Sequence, residues 1–139
     1  MTFSVTLPRT LVNKILAHAQ HSPEDEVCGL IGAEDDKAVD IYPVKNVAED
    51  PHTLFQMDPK QQIDAMREMR EQGHELFAIY HSHPHTPAAP SATDLEQANY
   101  PDALYLIISL NTTGVLEMRG FHLEGGKASE VELKIHEQV

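Results

Sequence analysis

Cysteine is scarce. The 139 residues include one, so no internal disulfide can form. Positive charge is also scarce: 10 Lys and Arg stand against 22 Asp and Glu, a formal net charge of −12. So acidic a chain repels phosphate backbones and anionic lipid, which argues against nucleic-acid and membrane-surface binding. The same charge keeps a small protein soluble, and the nine histidines can reduce it at mildly acidic pH. No apolar run approaches the ~18–20 residues of a membrane span. The longest, Ala103 to Leu110, reads as a buried strand. The opening residues, MTFSVTLPRT, lack the basic-then-apolar pattern of a secretory signal, so a soluble cytoplasmic protein is expected. There is no repeat, low-complexity tract or dividing linker. A chain of 139 residues, 41% hydrophobic, fits a single domain spanning 1–139.

Residues 3–7 alternate as a short strand. Leu11, Val12, Ile15, Leu16 and Ala19 recur at helical spacing, with Thr10 as N-cap and His21-Ser22-Pro23 as the stop. Val27 to Gly32 alternates little, as a strand buried on both faces does. A turn at Glu34-Asp35-Asp36 leads into a returning strand over Val39 to Val47, interrupted by Pro43. Leu54 to Met57 is a short extended piece. Asp58-Pro59 opens a second helix that Gly73 ends. Leu76 to His83 is a strand stopped by Pro84, 85–90 is a proline-rich loop, and Ser91 starts a short helix over before Pro101. Strands are expected at Ala103–Leu110, Val115–His122 and Glu130–His136, with turns at Asn111 to Gly114 and Glu124-Gly125-Gly126. The expected fold is α+β: a mixed or mostly antiparallel sheet of about six strands, flanked by two larger helices and one short one.

The informative segment is His81-Ser82-His83-Pro84, six residues, then Ser91-Ala92-Thr93-Asp94. Two residues apart on a strand, His81 and His83 point to one face with Cβ atoms roughly 6.5–7 Å apart. Their rings can lean to one metal at ~2.0–2.1 Å each. Asp94 falls in the first turn of the next helix, where the dipole favours a carboxylate. Two histidines and a carboxylate form a catalytic zinc set with a position left for water. Glu26, at the start of a buried strand, is the candidate acceptor for that water's proton, and Ser91 a candidate donor to the oxyanion.

Each motif also has a structural role open to it. Ser91-x-x-Asp94 resembles a capping box, and Asp94 can cap and ligate together. A lone His-x-His pair is often surface or core histidine. Glu24-Asp25-Glu26 reads by default as a solvated loop. Cys28 reads as a small buried apolar residue, since no local feature gives it an activating base. His52, His74 and His85 read as surface residues, with His85 close enough to line the cleft.

Taken together, Glu26, His81-Ser82-His83-Pro84, Ser91 and Asp94 resemble the JAMM signature of the MPN+ (Mov34/PAD-1) metalloprotease family. Asp25 to Gly32 and Pro90 to Leu95 are similar to the same segments of bacterial members, and the resemblance runs from the first helix to about Leu110. It implies a cytidine-deaminase-like fold, one zinc ion per chain, and hydrolysis of a peptide or isopeptide bond after the C-terminal glycine of a ubiquitin-like protein. On that resemblance His81, His83 and Asp94 hold the zinc, Glu26 is the acid/base and Ser91 the oxyanion donor. The Gly-Trp pair common in eukaryotic deubiquitinating members is Ala78-Ile79 here, and there is little room for their long insertions. The compact form resembles bacterial members acting on sulfur carriers of the ThiS/MoaD type, one of which releases cysteine from the carrier's C-terminus. A diglycine tail is then expected in a narrow cleft lined by Ala88, Ala89 and the 48–55 loop.

Three other functions compete with this one: a non-catalytic MPN scaffold, a mononuclear non-haem iron site with a two-His, one-carboxylate triad, and the DNA-associated RadC branch, which the acidic charge disfavours. A homodimer is compatible with the sequence, which leaves the oligomeric state open.

Overall fold

The computed structural model describes residues 4–112 and 115–137. Seven strands and three helices follow in the order β1 (Ser4–Pro8), α1 (Arg9–Gln20), β2 (Cys28–Glu34), β3 (Lys37–Val44), α2 (Pro59–Glu71), β4 (Glu75–His83), α3 (Ala92–Gln97), β5 (Leu104–Thr112), β6 (Val115–Glu124) and β7 (Lys127–His136). They form one mixed sheet of order β1-β7-β6-β5-β4-β2-β3. Its β1–β7 and β4–β5 pairs are parallel and the other pairs antiparallel.

The α+β class expected from the sequence is the one found, with seven strands rather than about six. The short N-terminal segment is a full member of the sheet because it finds a parallel partner in β7, matching Val5 to Leu133 and Leu7 to Ile135. β3 runs through Pro43, opposite Gly29, and ends at Val44 rather than Val47. Proline is tolerated there because β3 is a sheet edge. α1 begins at Arg9 with Pro8 as its N-cap and no side-chain cap, so Thr10 lies inside the first turn instead of capping it. α2 begins as its sequence dictates: Pro59 is the first residue and the Asp58 side chain accepts from the Gln61 N–H at 3.1 Å. The expected turn at Asp35-Asp36 has both residues at positive φ, 51° and 64°, the two-residue hairpin geometry that follows strand twist. The Gly125-Gly126 turn repeats it with φ of 59° and 76°. Thr113 and Gly114 of the expected turn, and Phe3 of the first expected strand, lie outside the described residues.

The core has two layers, one on each sheet face. α1 buries Leu11, Val12, Ile15 and Ala19 against Ala78, Tyr80, Leu106 and Ile108. α2 buries Ala65 and Met69 on the face that carries Leu30, Ile79 and Ile107. Alternation along β4 therefore assigns Tyr80 and Ser82 to the α1 side and Ile79, His81 and His83 to the α2 side. The sheet curls until its edge strands, β1 and β3, touch beside α1. No described helix is long and apolar enough to cross a membrane.

Among the described glycines, Gly29 lies closest to a neighbouring side chain. A Cβ built on it would lie 2.5–2.6 Å from the ring and hydroxyl of Tyr80, which is fully buried and meets His18 Nδ1 at 2.7 Å. The phenol can shift only by disturbing its neighbours. Gly29→Ala should therefore cost about 1–3 kcal/mol of overpacking and lower the melting temperature by several degrees, as read by urea and thermal unfolding.

Candidate active site

β4 is an inner strand, flanked by β2 and β5. His81 lies opposite Cys28 on one side and Ile107 on the other, and His83 opposite Ser109. This places both rings at the carboxyl end of the parallel β4–β5 pair, where open α/β sheets bind ligands. Both are buried, with 1% and 3% of their surface exposed. The chain then crosses over through the 84–90 loop and α3, which brings Asp94 back over the strand end.

The three side chains meet atom to atom. His81 Nε2 lies 3.1 Å from His83 Nε2, and Asp94 Oδ2 is 3.2 Å from each. Donors held at ~2.0–2.1 Å round a tetrahedral ion sit about 3.3–3.4 Å apart, so this triangle has the spacing of one coordination face. The tautomer agrees. His83 Nδ1 donates to the Pro87 carbonyl at 2.8 Å, which leaves a bare Nε2 lone pair aimed at the cluster when the ring is neutral. Ser109 holds that carbonyl's loop by donating its hydroxyl to the Thr86 carbonyl at 2.6 Å. Electron-rich atoms converging this closely in a buried site suit a divalent cation, so these residues fit the metal that the sequence suggests.

Asp94 is fixed by the capping box expected from Ser91-x-x-Asp94. Ser91 N–H donates to Asp94 Oδ2 at 2.9 Å, and Asp94 N–H to Ser91 Oγ at 3.0 Å. Burial raises the Asp94 pKa, but the two facing histidines and the Ser91 N–H hold the carboxyl well below the usual range. The histidines diverge. Burial lowers His81 despite Asp94; at His83 burial acts downward too, yet Asp94, the Pro87 carbonyl and Glu26 raise it. Ser91 is exposed, and its hydroxyl hydrogen remains free to point outward while the oxygen caps the helix.

Glu26 precedes β2 by two residues and is buried, 5% exposed. Glu26, His81 and His83 each offer a ligand atom within 4.8 Å of the others. Asp94, equidistant at 3.2 Å from both nitrogens, takes the coordinating position more naturally than Glu26. Burial pushes the Glu26 carboxyl up to about 8; His83 works against this and Asp94 adds to it. Its Oε1 has no hydrogen-bond partner. Two nearby carboxyls whose pKa values are driven apart are the mark of separate chemical roles.

Some of the assembly was not read from the sequence. Ser82, between the histidines, turns to the opposite face and staples the Glu26 segment to β4. Val27 N–H donates to Ser82 Oγ at 2.9 Å, and Ser82 N–H to the Val27 carbonyl at 3.0 Å. The strand period alone places Ser82 opposite the histidines, but its partner needs the β2–β4 register. Phe55 stacks on the His81 ring, centroids 4.4 Å apart and planes at 24°. Ala88 is fully buried, so it does not line an open cleft, whereas Ala89 is exposed. Glu24 and Asp25 stand clear of the cluster: His52 Nδ1 pairs with Asp25 Oδ1 at 2.9 Å, and His85 with Glu24 at 3.3 Å. His74 pairs with the Tyr42 hydroxyl at 2.7 Å, far along the sheet. Cys28 is buried and donates to the Val44 carbonyl; burial, with Glu26 adding, pushes its thiol up to about 12.

A mixed sheet with His-x-His-Pro on an inner strand and Ser-x-x-Asp on the next helix defines a hydrolase domain of the JAMM/MPN class. The Prok-JAB family, the prokaryotic homologs of the JAB domain, matches residues 8–120, and the chain belongs to it. A CysO-cysteine peptidase of Mycobacterium bovis is 32% identical over 130 residues, 92% of this chain and 88% of that protein. A desampylase of Haloferax volcanii is 35% identical over 103 residues, 70% of this chain and 74% of its own length. A protein of Desulfitobacterium hafniense with a known solution structure superposes with a TM-score of 0.86 at 35% identity, covering 96% of this chain and 94% of that one.

Protein purified without added metal and analysed by plasma mass spectrometry should carry close to one equivalent of zinc, and His81→Ala should carry essentially none. Cys28 should resist iodoacetamide in the native protein at neutral pH and react fully in denaturant, as peptide mass mapping would show.

Proposed function

We propose that this chain is a single-domain, cytoplasmic zinc peptidase that cleaves the bond after the C-terminal glycine of a ubiquitin-like sulfur-carrier protein of the ThiS/MoaD type. It would release cysteine or trim a C-terminal extension. The observation that carries this reading is the convergence of His81, His83 and Asp94 within 3.1–3.2 Å, beside a buried carboxyl without a partner for its Oε1. The names of the relatives, a CysO-cysteine peptidase and a desampylase, support the substrate class.

His81, His83 and Asp94 would hold the zinc. When bound it polarises the scissile carbonyl and lowers the pKa of an attached water to about 7. Glu26 takes the proton of the attacking water and passes it to the leaving amine. Its raised pKa suits that exchange near neutrality. Ser91 Oγ–H donates to the oxygen on which charge develops. The Pro87 carbonyl keeps His83 in the ligating tautomer throughout.

A cavity of about 590 Å³ shares the Phe55 wall with His81. Met57, Gln62, Gln97, Asn99 and Tyr100 are among its other walls, and no lining residue is charged. Amide and phenol groups without formal charge suit the backbone of a narrow glycine tail, which offers peptide groups and no side chains.

Incubation with C-terminally extended sulfur carriers and their cysteine adducts, followed by intact mass measurement, tests the proposal. Wild type should trim after the terminal glycine. Glu26→Gln should still bind zinc and lose about 10²–10⁴-fold in kcat, the range of a general acid/base. Trimming by Glu26→Gln at the wild-type rate would remove Glu26 from the role.

A further inference from the structure

Oε1 of Glu26 has no hydrogen-bond partner among the protein groups, and the bonds the protein makes to this residue are to its backbone. That backbone is held on both sides by the strap between β3 and α2. The Glu26 N–H donates to the Pro51 carbonyl at 2.7 Å, and the Glu26 carbonyl accepts from Asn46 Nδ2 at 2.9 Å. Val47 and Leu54 of the strap are 39% and 37% exposed, and its apolar anchorage comes from Phe55, stacked on His81, and Met57, packed against the core under α2. Its two arms meet in one antiparallel bridge, Asn46 opposite Met57, reinforced by Val47 N–H to the Gln56 carbonyl at 2.8 Å.

Asn46 is the joint. Nδ2 donates to the carbonyls of Glu26 and Leu54 at 2.9 and 3.0 Å, while Oδ1 accepts from the N–H groups of Ala48 and Gln56, both at 3.0 Å. These bonds use every donor and acceptor a carboxamide has, and they fix its orientation, because a flipped amide would set oxygen against two carbonyls. Leu54 and Gln56 flank Phe55, which covers His81. One side chain thus ties the peptide of Glu26 to the segment that walls the metal cluster.

We propose that Asn46 is the positioning residue for Glu26, holding carboxyl and strap as one rigid piece. This rests on the reading of Glu26 as the acid/base. Asn46→Asp is the sharpest variant: it keeps the size, loses both donors and sets a carboxylate against two carbonyls. With zinc-loaded protein and a C-terminally extended carrier, at a temperature where the variant is folded, kcat should fall about 10–100-fold. Zinc content should stay near one equivalent and KM should change less than kcat. Because Asn46 acts through Glu26, adding Asn46→Asp to Glu26→Asp should cost no more than about a further twofold. A residue that merely supports the strap would lower the melting temperature, leave kcat intact in the folded variant, and multiply fully with Glu26→Asp. An unchanged kcat or full multiplication overturns the proposal, and Asn46→Ser carries the same test if Asn46→Asp does not fold. A Glu26→Gln variant that trims like wild type brings down the acid/base reading instead, so the two failures are distinct.

Discussion

The pairing of β2 with β4 sets the geometry on which the site depends. Glu26 comes from the approach to one strand and both histidines from the other, so their separation is fixed by a ladder register that puts Cys28 opposite His81. Ser82 extends that register beyond the strand end by bonding Val27 in both directions. A one-residue slip would turn every side chain of β4 to the wrong face. The packing resists it, because Tyr80 fits against Gly29 with no space for a Cβ on one side while Ile79 packs beneath α2 on the other.

On this frame the protein gathers groups that would repel one another if left alone. Two carboxyls and two imidazoles share a small buried volume. The tension is divided unequally: Asp94 is held ionised by the facing histidines and the helix cap, whereas Glu26 is pushed toward the neutral acid by desolvation. Burial alone does not separate them, since it acts upward on both. Hydrogen bonding does, and the sequence supplies it locally to Asp94 through Ser91.

What was legible in the sequence was what local geometry dictates. The two-residue period of a strand places His81 and His83 together, and Ser91-x-x-Asp94 places a carboxylate at the start of a helix. Asp58-Pro59 and the Asp35-Asp36 turn fixed their element boundaries for the same reason. Glu26 stands out from an acidic run by its position before a buried strand and by the family resemblance. Ser82, Phe55 and Asn46 escaped because their roles are set by partners 20 to 55 residues away or by a strap without regular structure. Residues 3–7 read as a strand from their alternation, but their place in the sheet depends on β7, at the far end of the chain.

That last pairing has a consequence for how the molecule is made. Ser4 lies beside Glu132, and Arg9 donates to the Glu137 carboxylate. β1 therefore waits for β7, and closing so long a loop is entropically slow. Until β7 is synthesised, β1 has no ladder partner and the sheet remains open along that side. Completion of the fold thereby depends on β7, and until it pairs the chain carries open strand edges that need shielding.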